Sequence, residues 1–246
     1  MKIAILGAGG HGRVVLDILR QNHQFEVAGF IDANSALHNK LVDGVKILGD
    51  TSLVANFAEL GIGGVIIAIG DNRIRQKYAH SLECAGVNLV SAIHPSASIA
   101  DTASVGKNVV ICAGVNVCAH VKIEDSAILN TGCIVDHEST VQKAAHICPG
   151  VRLAGHVRVE QLAFVGIGAT VIQSITIGES AIVGAGAVVL KEVPAFSTVV
   201  GVPAHIIKES HVPGLEASTA QLEPARSLIT RPKRQKLIDV LEQVHA

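Results

Sequence analysis

Starting at Ile93 and stepping by six, the chain places Ile99, Val105, Ile111, Val117, Ile123, Leu129, Val135, Val141, Ile147, Leu153, Val159, Val165, Val171, Ile177, Val183 and Val189, an unbroken aliphatic series. A helix repeats every 3.6 residues and a strand every two, so neither produces this spacing; a fixed short repeat marks a solenoid. Each hexad supplies one short strand and one corner, and three hexads close a triangular coil. Residues 93–190 then form about five coils stacked about 4.8 Å apart, each backbone amide pairing with the coil above or below. A narrow core of this kind needs small side chains, and the chain has 24 glycines, one tyrosine and no tryptophan.

The 20 lysines and arginines nearly cancel the 21 aspartates and glutamates, and no basic run with interleaved aromatics precedes the tail. A nucleic-acid surface is therefore not expected, and the partners implied are small molecules or copies of the chain itself. Five cysteines, odd in number and without a Cys-x-x-Cys pair, read as free thiols in a reducing compartment, which predicts a cytoplasmic location. Residues 1–6 are a short apolar strand, not a signal-peptide core, and no stretch is long enough to insert in a membrane.

Before the repeat lies a compact α/β unit. Residues 2–6 read as a buried strand, Gly7-Ala8-Gly9-Gly10-His11-Gly12 as a tight turn, Arg13–Gln21 as a helix, and Glu26–Ile31 as a second strand ending at Asp32. Glycines between strand and helix let the backbone approach a pyrophosphate, and the helix N-terminus offers it unpaired N–H groups. Asp32 is placed to accept hydrogen bonds from a ribose or a base. A further strand, Val65–Ile69, runs into Gly70-Asp71-Asn72-Arg73 and a helix to about Gly86. The predicted organisation is a Rossmann-like nucleotide-sugar-binding domain over 1–92, an all-β parallel helix over 93–208, and a linker with a C-terminal helix over 209–246. Ninety residues accommodate one mononucleotide half, so a nucleotide-sugar fits better than a dinucleotide.

Within the repeat, Asp136-His137-Glu138 sets a histidine between two carboxylates. His137 is the candidate general base, and Glu138 reaches the same imidazole only if a corner falls there. One coil later His137 stacks over Gly155, whose missing side chain leaves room for a thioester and exposes an N–H as an oxyanion donor. His94, His120 and His156 read as surface or corner residues. Cys112, Asn130 and Cys148 read as a structural ladder, and Cys133 has no evident activating neighbour.

The segment Val193-Pro194-Ala195-Phe196-Ser197-Thr198-Val199-Val200-Gly201-Val202-Pro203-Ala204 resembles the ending by which hexapeptide-repeat acyltransferases close the solenoid and bind part of coenzyme A. Together with the GAGGHG unit, the chain is similar to the sugar O-/N-acetyltransferases of the sialic acid and bacillosamine type. The resemblance spans Ile93 to about Lys208 and implies a left-handed β-helix, acetyl-CoA as co-substrate and no metal. It implies that Gly9, Gly10, His11 and Asp32 hold the acceptor, and that Gly70, Asn72 and Arg75, from a stretch similar to the family's IG-x-N-x-x-R, line the same pocket. It also puts His137 as base, His146 beside the acetyl group, and Ile167 and Ala185 along the coenzyme groove. The flat solenoid faces predict a homotrimer with sites at its seams.

The expected reaction is N-acetylation of a UDP-4-amino-4,6-dideoxy sugar for bacterial surface glycan synthesis, with O-acetylation of a sialic acid and non-catalytic nucleotide-sugar binding as alternatives. A zinc carbonic anhydrase on the same solenoid fits poorly: five residues beyond His120 and His156 stand Asp125 and Gln161 instead of a third histidine. In the tail, Leu237, Ile238, Leu241 and Val244 share one face of a predicted helix, expected to dock on the chain's own trimer.

Overall fold

A computed structural model describes residues 1–209; the expected tail helix lies outside the described residues. The front unit is a five-stranded sheet with β1 (Lys2–Leu6) flanked by β2 (Glu26–Ile31) and β5 (Gly64–Ile67), all parallel. Two elements absent from the sequence reading extend it: β3 (Leu41–Val42) and β4 (Val45–Gly49) form a hairpin that adds β4 parallel to β2. Their brevity and mixed burial hide them from a periodicity search, since a two-residue strand has no period to detect. Helix α1 (Gly10–Gln21) starts three residues earlier than the glycine turn predicts. It sits tight on β1: a Cβ at Gly12 would overlap the Gly7 carbonyl, so only glycine allows the approach.

From Ala92 onward the chain forms two-residue strands at six-residue intervals, each ending on a residue of the aliphatic series. From Ala92–Ile93 to Thr170–Val171 each strand pairs in parallel with the strand eighteen residues on, as Asn116–Val117 does with Ile134–Val135. Three faces result. The first carries strands such as Ile134–Val135 and Arg152–Leu153, the second Thr140–Val141 and Arg158–Val159, and the third Ile128–Leu129, His146–Ile147 and Phe164–Val165. The solenoid ends in an antiparallel pair, Ser197–Val200 with His205–Glu209, on the third face. The Rossmann-like unit and the parallel β-helix are thus the fold class expected.

Corners are turned by left-handed residues. Gly114, Gly132, Gly150, Gly168 and Gly186 serve the corner between third and first faces, but Glu138 (φ 57°) and His156 (φ 58°) serve that between first and second. A side chain in this conformation costs roughly 1–2 kcal/mol.

One apolar core runs from Ile3 and Val15 in the front unit through Val110 and Ile147 to Val199, so the two halves share an interior. The polar seam between them is centred on Arg75 in α2 (Asn72–Cys84), which is fully buried. Its Nε donates to Ser126 O (2.8 Å), Nη1 to Ile69 O (2.9 Å) and Gly70 O (3.1 Å), and Nη2 to Asn72 Oδ1 and Ala144 O (both 2.8 Å). All five donors of the guanidinium are satisfied. Asn72 in turn donates to Leu162 O (2.9 Å) and Ala163 O (3.1 Å), and Asn108 Oδ1 accepts from Ile67 N (2.8 Å).

Two histidines meet across the same seam, His11 of α1 and His146 of the third face, with ring centroids 6.5 Å apart. Burial lowers both to about 4, and the neighbouring Arg75 charge adds to the shift in each. Both are neutral imidazoles at neutral pH.

Two outcomes follow from this seam. Arg75→Met strands the carbonyls of Ile69, Gly70, Ser126 and Ala144, and urea denaturation is expected to show a loss of roughly 3 kcal/mol or more; a loss below about 1 kcal/mol would mean the seam does not depend on the guanidinium. For the histidines, the unfolded chain takes up protons below about pH 6.5 whereas the folded chain does not until about pH 4, so the unfolded state binds more protons in that window. Stability is therefore full above pH 6.5 and declines toward pH 4, by an amount on the order of a few kcal/mol. Denaturation midpoints measured from about pH 7 down to about pH 4.5 should fall in the native chain and fall less in His146→Asn; equal slopes would remove these histidines as the cause.

Candidate active site

The acceptor side is a cleft of about 480 Å³ where the carboxyl ends of β1 and β5 meet the start of α1, lined by Gly9, Gly10, His11, Asp32, Gly70 and Tyr78 among others. A Cβ placed on Gly9 or Gly10 meets nothing within 4 Å, so the backbone there is open to a ligand. Gly9 caps α1 without a side-chain hydrogen bond, leaving its first N–H groups to the cleft. Asp32 has a double duty: Oδ2 accepts from Ala8 N (2.8 Å) and Oδ1 from Asn34 N (2.9 Å), which fixes the glycine turn and leaves each oxygen one further acceptor site.

Two expectations are corrected. Asn72 and Arg75 do not line the cleft, because their side chains are consumed in the seam and Arg75 is fully buried. They hold Gly70, which does line it, through the Arg75 contact with the Gly70 carbonyl. Tyr78, the only tyrosine in the chain, was missed; it is one helical turn beyond Arg75 on the same face, and burial with the nearby Asp32 charge raises its phenol.

His146 lies on this acceptor side. It is buried against Phe164, edge to face with ring centroids 5.2 Å apart, and its Nε2 is 3.4 Å from Asn130 Nδ2. Its Nδ1 and His11 Nε2 are enclosed polar atoms without a well-formed hydrogen bond. Both atoms are closed off from solvent, with the Gly70 backbone beside the His146 ring. Asn130 therefore does more than continue a ladder with Cys112 and Cys148. Those thiols and Cys133 are inert by burial, Cys133 being pushed up to about 12 and the other two to about 11.

His137 is elsewhere, at the corner between the first and second faces. The corner does fall where Glu138 needs it: the left-handed turn at Glu138 folds its carboxylate back, with Oε2 3.3 Å from His137 Nδ1. Asp136 is spent on the backbone, accepting from His137 N at 2.7 Å. The stack over Gly155 is as expected from the eighteen-residue register, since a Cβ there would lie 2.5 Å from Cε1 and 2.6 Å from Nε2 of the imidazole. Among the described residues the Gly155 N–H donates to no group, while its carbonyl accepts from Ser174 N at 3.0 Å.

His156, set aside as a surface residue, joins this corner with Nε2 3.1 Å from Glu138 Oε2. The signal was present: 156 is 138 plus eighteen, the same register that pairs His137 with Gly155. Ile167 and Ala185 stack one coil apart at the opposite edge of the first face, in the turns between third and first faces. No contact joins His137 to His11, His146, Ile167 or Ala185 among the described residues.

Known proteins share this architecture. Residues 2–82 match the PglD N-terminal domain. UDP-N-acetylbacillosamine N-acetyltransferase of Bacillus subtilis is 34% identical over 115 residues, covering 45% of this chain and 51% of that protein, so the match spans about half of its length. Among solved structures, PerB from Caulobacter crescentus in complex with CoA and GDP-perosamine is 41% identical with a TM-score of 0.80, over 85% of this chain and 98% of that one. The acetyltransferase domain of PglB from Neisseria gonorrhoeae, in complex with acetyl coenzyme A, is 32% identical with a TM-score of 0.79, over 84% and 98%. With a PglD-type front unit, a hexapeptide solenoid and 41% identity across nearly the whole of a solved relative, the chain belongs to the hexapeptide-repeat sugar acetyltransferases.

Proposed function

We propose that the chain transfers the acetyl group of acetyl-CoA to the amino group of a nucleotide-linked amino sugar, residues 1–92 holding the acceptor and residues 93–208 carrying the transfer. The observation that carries this reading is the His137 imidazole, fixed by Glu138 on Nδ1 and by Gly155 beneath it, with Nε2 left for a substrate. Glu138 accepting at Nδ1 keeps that nitrogen protonated and Nε2 unprotonated, the form a base needs.

In the reaction, the sugar amine attacks the thioester carbonyl while Nε2 of His137 removes a proton from its nitrogen. The tetrahedral oxyanion is met by the free Gly155 N–H. Collapse breaks the carbon–sulfur bond, and the imidazolium returns its proton to the departing CoA thiolate. Gly9, Gly10, His11, Asp32 and Gly70 supply the acceptor cleft, and Ile167 and Ala185 the wall along which the coenzyme arm lies. His146, packed beside His11, is the residue assigned to the acetyl group.

A homotrimer supports this arrangement. The base stands at the corner between the first and second faces, the coenzyme wall at the corner between the third and first, and the acceptor cleft beside the third face where His11 meets His146, so a single chain does not bring all three together. Packing the edge of one subunit against the cleft of the next does, in a closed ring. Cytoplasmic synthesis of surface glycan precursors fits the five free cysteines and the finding that no helix among the described residues is long and apolar enough to cross a membrane.

The deciding assay is thiol release from acetyl-CoA with UDP-4-amino-4,6-dideoxy sugars, GDP- and dTDP-linked amino sugars, and sialic acid as acceptors. Turnover on a nucleotide-amino sugar is expected, with kcat lowered roughly 10²–10⁴-fold in His137→Ala. Gly155→Ala, which drives a methyl into the imidazole, should lose about 10²-fold in kcat at unchanged melting temperature. Release with sialic acid alone, or none with any acceptor, would overturn the assignment. Sedimentation should give a trimer, and an active monomer would overturn the shared site.

A further inference from the structure

The corner that carries His137 holds more than a base. One donor atom from each of His137, Glu138 and His156 lies within 4.8 Å of the other two, and all three side chains are about half exposed. Glu138 Oε2 is 3.3 Å from His137 Nδ1 and 3.1 Å from His156 Nε2, and the two rings meet edge to face with centroids 5.3 Å apart. Two imidazoles and one carboxylate are a donor set that zinc takes in sites keeping a fourth position open. Tetrahedral zinc with bonds of about 2.0–2.1 Å spaces its donors roughly 3.3 Å apart. The carboxylate oxygen is already at that spacing from each ring nitrogen.

The backbone makes the cluster a built feature. His156 N donates to His137 O at 2.9 Å, locking the two coils in register, and Glu138 and His156 occupy equivalent left-handed corner positions one coil apart. Side chains at such stacked positions point the same way. The same left-handed corner recurs at His120 and Ser174, and at 156 it carries an imidazole that reaches Glu138 and of which the acetyl transfer makes no use.

We propose that this corner binds a divalent transition-metal ion of the zinc type through His137 Nδ1, Glu138 and His156 Nε2, and that the bound ion inhibits the enzyme. A neutral imidazole has one lone pair on nitrogen. With the metal on Nδ1, the proton sits on Nε2, and the nitrogen that must accept the proton of the amine becomes a donor instead. The ion also takes the Glu138 oxygen that orients the base. Metal binding and turnover are mutually exclusive, so the ion acts as a reversible brake and not as a cofactor. The inhibition rests on His137 being the base; the binding does not. Cys84 and His80, 3.7 Å apart, are another thiol–imidazole pair, but they contribute only two donors.

The test uses the full chain freed of metal with a chelator. Zn²⁺ is titrated calorimetrically and Co²⁺ by visible absorption, both without substrates, in the native chain and in His156→Gly, where glycine suits the corner. One tight equivalent with a tetrahedral Co²⁺ spectrum is expected in the native chain, weakened about tenfold or more in His156→Gly, since loss even of a supporting outer-shell partner costs 10–100-fold. Acetyl transfer is then followed against added Zn²⁺, each variant normalised to its own chelated rate. Native turnover should fall as the site fills and return with chelator, and His156→Gly should need about tenfold more zinc. Equal zinc binding or equal inhibition in the two chains overturns the proposal. Absence of turnover in chelator with every acceptor would instead overturn the acetyltransferase reading, and the calorimetric and Co²⁺ comparisons would still decide the metal site.

Discussion

A single guanidinium determines how the two halves of this molecule meet. Arg75 is buried without a carboxylate in hydrogen-bonding contact, and its charge is carried by five oxygens: four backbone carbonyls and the Asn72 amide. Two of those carbonyls, Ser126 and Ala144, stand one coil apart on the solenoid; two others, Ile69 and Gly70, belong to the loop that lines the acceptor cleft. Desolvation lowers the group to about 10, so it stays charged at neutral pH. Lysine could not substitute, because three donors on one atom cannot fork toward both coils and the loop at once. Burial keeps His11 and His146 neutral and the same charge adds to that shift, so the seam beside the cleft carries neutral imidazoles rather than cations. Fold and site electrostatics thus share one cause.

The solenoid adds a second constraint, an eighteen-residue register that assigns every position an address. A residue on a face stacks under a residue on the same face, and a corner residue under a corner residue. Function is written in departures from the small, apolar default at those addresses. Glycine at 155 makes room for the imidazole of His137, and left-handed non-glycine residues at 138 and 156 bring a carboxylate and a second imidazole to it. His137 has its address at the corner between the first and second faces, whereas the front unit with its cleft is seated on the turns between the second and third, at Ser126, Ala144 and Leu162.

Much of this was legible in the sequence, and the reasons for success and failure differ. The aliphatic hexads and the glycine turn were readable because each is a backbone requirement with few chemical solutions. His137 over Gly155 followed from the register alone. The hairpin of β3 and β4 escaped because strands of two and five residues carry little periodic signal. Asn72 and Arg75 were given to the ligand because a motif marks a residue as needed without saying for what. The spacing of Asn72, Arg75, Ala79 and Leu82 puts them along one helical face, and the structure shows that face turned to the interior. A charged residue on a buried helical face, near loops rich in free carbonyls, is more simply a clamp than a substrate contact. The meeting of His156 with Glu138 was legible too, since it obeys the same eighteen-residue register one position beyond His137 and Gly155.

Glu138 connects these strands of argument. To orient a base, a carboxylate must approach Nδ1 closely and stay partly exposed, since the imidazole it serves has to reach a substrate. Those conditions also describe half of a metal chelate, and in an ordinary corner they are harmless because nothing supplies the remaining donor. Here the register places an imidazole one coil above, within 3.1 Å of the same oxygen. A glycine at 156 would satisfy the left-handed backbone at lower cost and would leave the base alone. His120 and Ser174 take the same left-handed corner in the coils before Glu138 and after His156, so what sets 156 apart is its imidazole, whose Nε2 reaches the Glu138 oxygen and adds a third donor atom that the acetyl transfer does not require.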